Sequence, residues 1–226
     1  MHKEINATSA SPSRSFNEAR DVLYLYLIAL WGKPFDLAAM PATNPGATDR
    51  PCIDRTYIRL PSEMTQQGHV TAQEVYIASA VHAAARRMDS QPLRPKTLSA
   101  RQRYLIELVE DARVEYLTFL RFPRLRQLWL DLHPSMPPDP TPFATLMWRL
   151  SRGLLELEIS TDDDFLVRKA IALFQENSCE TDGVAVSREI GLRLAQDIGQ
   201  MRLPMNEDGL PTGAIYRDDN QHLWLE

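Results

Sequence analysis

The chain has 226 residues, 44% of them apolar and 24% charged, with a formal net charge of −5. Chains that stay disordered combine low hydrophobicity with high net charge, so this composition excludes that class. The acidic excess likewise excludes a generally basic nucleic-acid binder. Two cysteines, Cys52 and Cys179, are too few for a disulfide framework and point to a reducing, cytoplasmic setting.

Met1 to Arg14 is polar and lacks the apolar stretch of a signal peptide, so residues 1–14 are expected to form a flexible tail. Ser15 and Glu18 have capping-box spacing and open a helix through Trp31, which Gly32 and Pro34 end. Its run Val22–Trp31 would span about 15 Å, half a bilayer's hydrocarbon core, and reads as a buried helix rather than a membrane anchor. Residues 34–54, with four prolines, read as an ordered loop. Thr56–Leu60 is the one plausible strand. Thr71 and Glu74 form a second capping box, starting a helix that ends near Met88.

Ser99 caps the longest helical pattern, Ala100 to about Arg121, in which Leu105, Leu108, Val109, Ala112 and Tyr116 recur at helical spacing. Pro123 breaks it, and a short amphipathic piece through Leu125, Leu128, Trp129 and Leu132 follows. The proline-rich segment 133–142 is a candidate sub-boundary. Thr141 is expected to cap Phe143–Leu157, and Thr161 to cap Asp162–Asn177, with three aspartates where the helix dipole favours negative charge. Val184–Leu203 closes the helical series, and 204–226 reads as a C-terminal loop. The expected fold is all-α, a single domain of about seven helices over 15–203 with at most one short strand or hairpin.

Catalytic signatures are absent. The chain has no GxxxxGK[ST] phosphate loop, no GxSxG elbow and no CxxC pair, and no two of its five histidines stand at i, i+4. Val81-His82-Ala83-Ala84-Ala85-Arg86 falls short of the HExxH of a zinc peptidase, since Ala83 replaces the general base and Arg86 the second ligand. No catalytic residue and no cofactor are therefore assigned.

The densest constellation is on the long helix. Arg103, Glu107, Asp111 and Glu115 recur every four residues and make one charged stripe, its three acids repelling one another by a few tenths of a kcal/mol per pair if solvated. Three accounts stay open. The stripe is solvated, or it joins an interhelical network with Arg113 and with Arg86 or Arg87, or it forms a metal or catalytic cluster with His82, Glu110 and Asp111 as weak candidate ligands. Charge also varies along the chain, from +5 over Arg86–Arg126 to −6 over Glu156–Asp182.

His82-Ala83-Ala84-Ala85, then Leu105–Glu115 with its EDARVE run at Glu110–Glu115, then Arg121-Phe122-Pro123-Arg124-Leu125 and Trp129, resemble the N-terminal helical region of NorD and CbbO proteins. A related EDxRVE pattern occurs in the cobalt-chelatase subunit CobT. The resemblance covers about residues 70–180. It implies a helical region followed by a linker and a von Willebrand A domain, acting with a MoxR-type AAA+ ATPase hexamer on a target enzyme. NorD is implicated in nitric oxide reductase activation, and CbbO with its partner CbbQ in remodelling inhibited Rubisco. This chain stops where the linker would begin, and the expectation is an N-terminal piece of a longer protein or a shortened relative.

By that resemblance the chain is a non-catalytic, CbbO-like or NorD-like adaptor without membrane insertion or nucleic-acid binding, and Rubisco is slightly favoured as target. Glu110, Asp111, Arg113 and Glu115 are then motif residues with a structural role. Arg121, Arg124 and Arg126 on the basic side, or Asp162, Asp163 and Asp164 on the acidic side, are candidate partner-binding residues. The alternatives are a degenerate metallopeptidase-like metal-binding domain and a helical oligomerisation module.

Overall fold

The computed structural model describes residues 12–40, 50–94, 97–136, 140–157, 162–177, 183–201, 203 and 213–224. Among these the chain is predominantly helical, with α1 at Phe16–Trp31, α2 at Ala72–Asp89, α3 at Ala100–Arg121, α4 at Arg124–Asp131, α5 at Pro142–Glu156, α6 at Phe165–Asn177 and α7 at Gly183–Gln200. The caps explain where several of them start. Ser15 with Glu18, Thr71 with Glu74 and Ser99 with Gln102 form reciprocal capping boxes, and Thr141 caps α5. Gly32 ends α1 in the left-handed region, at φ +66°.

Two expectations need correction, and a third gains a location. The first concerns the fold class. The protein is not purely helical, because five short strands form two small sheets. Strand β1 (Ser13–Ser15) pairs antiparallel with β5 (Glu63–Thr65), so Ser13 and Arg14 of the expected tail lie in a sheet. Strand β4 (Ile58–Leu60) lies between β2 (Leu37–Ala39), to which it is parallel, and β3 (Cys52–Ile53), to which it is antiparallel. Strand β4 falls within the expected Thr56–Leu60, while the other four, of at most three residues each, are too short for an alternating pattern to stand out.

The second concerns α6, which begins at Phe165 rather than Asp162. The Asp164 carboxylate accepts from the Leu166 amide at 2.8 Å and so caps the helix, whereas Thr161 lies outside the described residues. The third concerns the C-terminal loop. Its described part, 213–224, is a loop with one short 3-10 turn and anchors itself in the interior through buried Ala214, Tyr216, Arg217, Asp218 and Leu223, while Ile215 and Gln221 stay exposed.

Helix α3 is the centre of the molecule. One apolar cluster gathers α1, α2, α4, the strands and Tyr216. A second joins α3 through Leu105, Val109 and Ala112 to α5, α6 and α7. Helix α7 crosses α3 at Gly191, where a Cβ would stand 2.8 Å from the Ile106 backbone. Burial of this extent contributes on the order of 25 cal/mol per Å² of apolar surface, and the two clusters supply most of the driving force.

Candidate functional site

The charged residues of α2 and α3 face inward. His82 and Arg86, one turn apart on α2, lie opposite Asp111 and Glu115, one turn apart on α3, and all four are buried. The C-terminal segment then inserts Tyr216, Arg217 and Asp218 among them. Arg86 Nη2 lies 3.1 Å from Asp111 Oδ1, and its Nε lies 3.4 Å from Asp218 Oδ2. His82 Nδ1 is 3.4 Å from Asp218 Oδ2, while its Nε2 stands 3.9 Å from Asp111 and 3.8 Å from Glu115.

Arg217 closes the arrangement. Its Nε and Nη2 donate to the two oxygens of Glu115 at 2.7 and 2.8 Å, and the Tyr216 hydroxyl donates to Glu115 Oε1 at 2.9 Å. Planar, two-point pairing of this kind is the geometry in which arginine binds carboxylates most strongly. Tyr216 also stacks on Trp129, with ring centroids 5.6 Å apart, and packs edge-on against His82.

Electrostatics follow from burial. Burial alone would disfavour the Glu115 anion, yet Arg217 holds its carboxyl below the ordinary value. Asp218 is likewise desolvated, and Arg86 with His82 and His222 brings it far below the carboxylate range. Asp111 goes the other way, because burial outweighs Arg86 and Arg217 and raises it.

Of the motif residues, Glu110, Asp111, Arg113 and Glu115 are all buried, but they do not converge on one point. Arg113 forks onto Glu110 at 2.8 and 2.7 Å and donates to the Asp89 carbonyl at 2.6 Å, and Ser90 also donates to Glu110. The inner half of the stripe, Asp111 and Glu115, is therefore buried rather than solvated. It is an interhelical ion network in which Arg86 serves Asp111, while Arg87 points elsewhere and donates to the Arg55 and Thr56 carbonyls. Among the described residues no group of three or more His, Cys, Asp or Glu is placed to hold a metal, and Arg86 already engages two of the acids nearest His82, Asp111 and Asp218.

The partner-binding candidates divide. Arg121 reaches Asp89 at 3.2 Å but stays half exposed, Arg124 is exposed, and Arg126 donates to the Leu155 and Glu156 carbonyls. Exposed Leu120 adjoins the first two. On the acidic side Arg149 binds Asp162 and Asp163, and Asp164 is used as a cap. Asp163, with a side chain 94% exposed, is the most accessible of the three although Arg149 pairs with it.

Beside the ion network lies a cavity of about 230 Å³, which no local motif announced. Asp111 and Arg217 form its floor, and Glu107, Arg50 and Asp219 line it as well. His133 Nδ1 is 3.2 Å from the Pro134 carbonyl, which can only accept, so this nitrogen carries the proton. Its Nε2 then accepts from the Ser151 hydroxyl at 3.1 Å, and Arg217 donates to the same Ser151 oxygen at 2.9 Å. Burial, with Arg217 nearby, pushes His133 down to about 4 and keeps it neutral. Burial also pushes Glu107 up to about 7, although Trp224 Nε1 donates to it at 2.6 Å.

No helix among the described residues is long and apolar enough to cross a membrane. No protein-family model, no curated protein and no solved structure matches this chain.

Proposed function

We propose that the chain is a non-catalytic adaptor domain of the NorD/CbbO kind, which binds a MoxR-type AAA+ ATPase and couples its ATP-driven motion to a target enzyme. The observation that carries this reading is the fate of the EDARVE residues. Glu110, Asp111, Arg113 and Glu115 are all buried and engaged inside the fold, so the motif behind the resemblance acts as a scaffold rather than as a reaction centre. Recognition is then left to the outer faces.

The best-suited of these is the end of α3 and the start of α4. Leu120 is 57% exposed beside Arg121 and Arg124, a basic rim around an apolar residue that suits an acidic, partly apolar partner surface. Arg126 belongs to the fold instead, since it ties α4 to the end of α5. Rubisco stays ahead of nitric oxide reductase as the target, because no feature of the site suggests nitric oxide chemistry.

Binding to a MoxR-type AAA+ ATPase from the same organism, measured by pull-down and by sedimentation, tests the reading. The expected result is a complex that Arg124→Glu and Arg121→Glu weaken while the far-UV spectrum stays unchanged. Failure of the wild-type chain to bind would remove the proposal.

A further inference from the structure

The cavity beside α3 holds charged groups that the ion network does not use. Arg50 is the clearest. It donates one long hydrogen bond, 3.4 Å, to the Ala214 carbonyl, and its Nε is buried with no partner among the described residues. An unpaired, desolvated guanidinium is costly, and its planar fork of donors matches a carboxylate. The space around it is kept open by Gly213, where a Cβ would stand 2.6 Å from Arg50 Nη2.

Acceptors of the opposite kind line the same cavity. Glu107 has a single hydrogen-bond donor, Trp224, and no cation paired to it among the described residues. Asp219 accepts only from the Gln221 amide, at 3.1 Å, and Asn220 Oδ1 is buried without a partner. Burial pushes the carboxyls of Glu107 and Asp219 up, against the opposing charge of Arg50, which is near both yet pairs with neither among the described residues. Between these polar groups runs an aromatic wall of Tyr104 and Trp148. It is held in place by the Trp148 Nε1 bond to the Pro134 carbonyl, at 2.7 Å, and by the Tyr104–Phe143 contact.

One cation, two unpaired acids, an orphan carbonyl oxygen and an aromatic wall define a site of mixed sign. We propose that this cavity binds a small zwitterion of the α-amino-acid class, its carboxylate on Arg50, its ammonium among Glu107, Asp219 and Asn220, and its apolar side chain against Tyr104 and Trp148. A simple carboxylate would satisfy Arg50 and leave the acids without a cation. A simple amine would do the reverse. The cavity's volume of about 230 Å³ is far above the roughly 10–15 Å³ that one water needs and below the size typical of drug-like ligands, which fits a single small molecule. Its floor residues Asp111 and Arg217 belong to the ion network, so an occupied cavity would brace the C-terminal segment against α3.

The experiment is calorimetric titration of the whole chain with L-leucine, L-methionine and L-phenylalanine. 3-Phenylpropionate and phenethylamine serve as the one-charge counterparts of phenylalanine, and Trp fluorescence gives a parallel readout. At least one of the three amino acids should bind, and both counterparts should bind it less tightly or not at all. Arg50→Met should weaken binding about tenfold or more, the usual effect of losing a charge-assisted hydrogen bond. Gly213→Ala should weaken it as well while leaving the fold intact, since its Cβ meets only the mobile end of Arg50. Absence of binding by all three amino acids would overturn the proposal. So would unchanged affinity in Arg50→Met, or binding of 3-phenylpropionate or phenethylamine as tight as that of phenylalanine.

Discussion

Arg217 Nε lies 2.7 Å from Glu115 Oε1 across 102 positions of sequence, and both side chains are buried. Removing either partner leaves a desolvated charge behind. Glu115→Gln or Arg217→Met should therefore each cost about 3–5 kcal/mol in urea unfolding. The paired replacement Glu115→Leu with Arg217→Met should recover much of that loss, since an apolar pair carries no desolvation penalty. If the double variant is as unstable as the sum of the singles, the two residues do not act as a unit.

Gly191 permits the close crossing of α7 over α3. A methyl group there would meet the Ile106 backbone at 2.8 Å, and backbone cannot rotate out of the way. Gly191→Ala should destabilise by about 1–3 kcal/mol despite alanine's higher helix propensity. Gly199→Ala on the same helix is the control. Its Cβ would meet only Arg101 Nη1, at 3.4 Å, so it should be neutral or stabilising in the same thermal melts.

Acid should loosen the protein through its buried histidines. Burial pushes His133 and His222 down to about 4, against 6.5 when free. In the unfolded chain both take up protons below pH 6.5 while the folded protein does not, so stability falls as pH drops from about 6.5 toward 4, by of order 3 kcal/mol per residue. Glu107 acts in the opposite sense. Its carboxyl, pushed up to about 7, binds a proton more readily when folded, so it favours the folded state below that pH and its contribution is lost as pH rises through 7. Denaturation midpoints measured between pH 7 and pH 4.5 should fall on acidification. His222→Gln should flatten that slope.

The C-terminal segment should be indispensable. Without residues 213–224, Glu115 loses both Arg217 and Tyr216, Arg86 loses Asp218, and Trp129 loses its stacking partner. A chain ending at residue 212 should keep much of its far-UV helical signal and lose the near-UV signal of Trp129 and Tyr216. An unchanged near-UV spectrum would show that the helices hold these rings alone.

The helices were readable from their ends more than from their interiors. Ser15, Thr71, Ser99 and Thr141 each cap where spacing indicated, because a cap is a local contract between residues three apart. Asp164 escaped notice because Asp162, Asp163 and Asp164 offer the same side chain three times, and only tertiary position chooses among them. Of the strands only β4, within Thr56–Leu60, was legible; the others were hidden by brevity, and β1 and β5 find each other across about fifty residues. The stripe on α3 and its partner Arg86 on α2 were visible, but the C-terminal partners Tyr216, Arg217 and Asp218 were not. Tyr216 to Asn220 shows neither helical nor strand period and so reads as loop. The one available signal was imbalance, since Glu107, Asp111 and Glu115 on a core-facing helix exceed what Arg86 alone can neutralise.

The insertion of Arg217 beside Glu115 also sets an order of events during synthesis. At about 5–20 residues per second, the 102 positions between them take roughly 5–20 seconds to translate. Throughout that interval helices α2 and α3 exist on the ribosome with an acid that has no guanidinium to meet. Arg86 and Asp111 can already meet in that interval, so α2 and α3 have one ion pair from the start and gain the second only when Arg217 arrives.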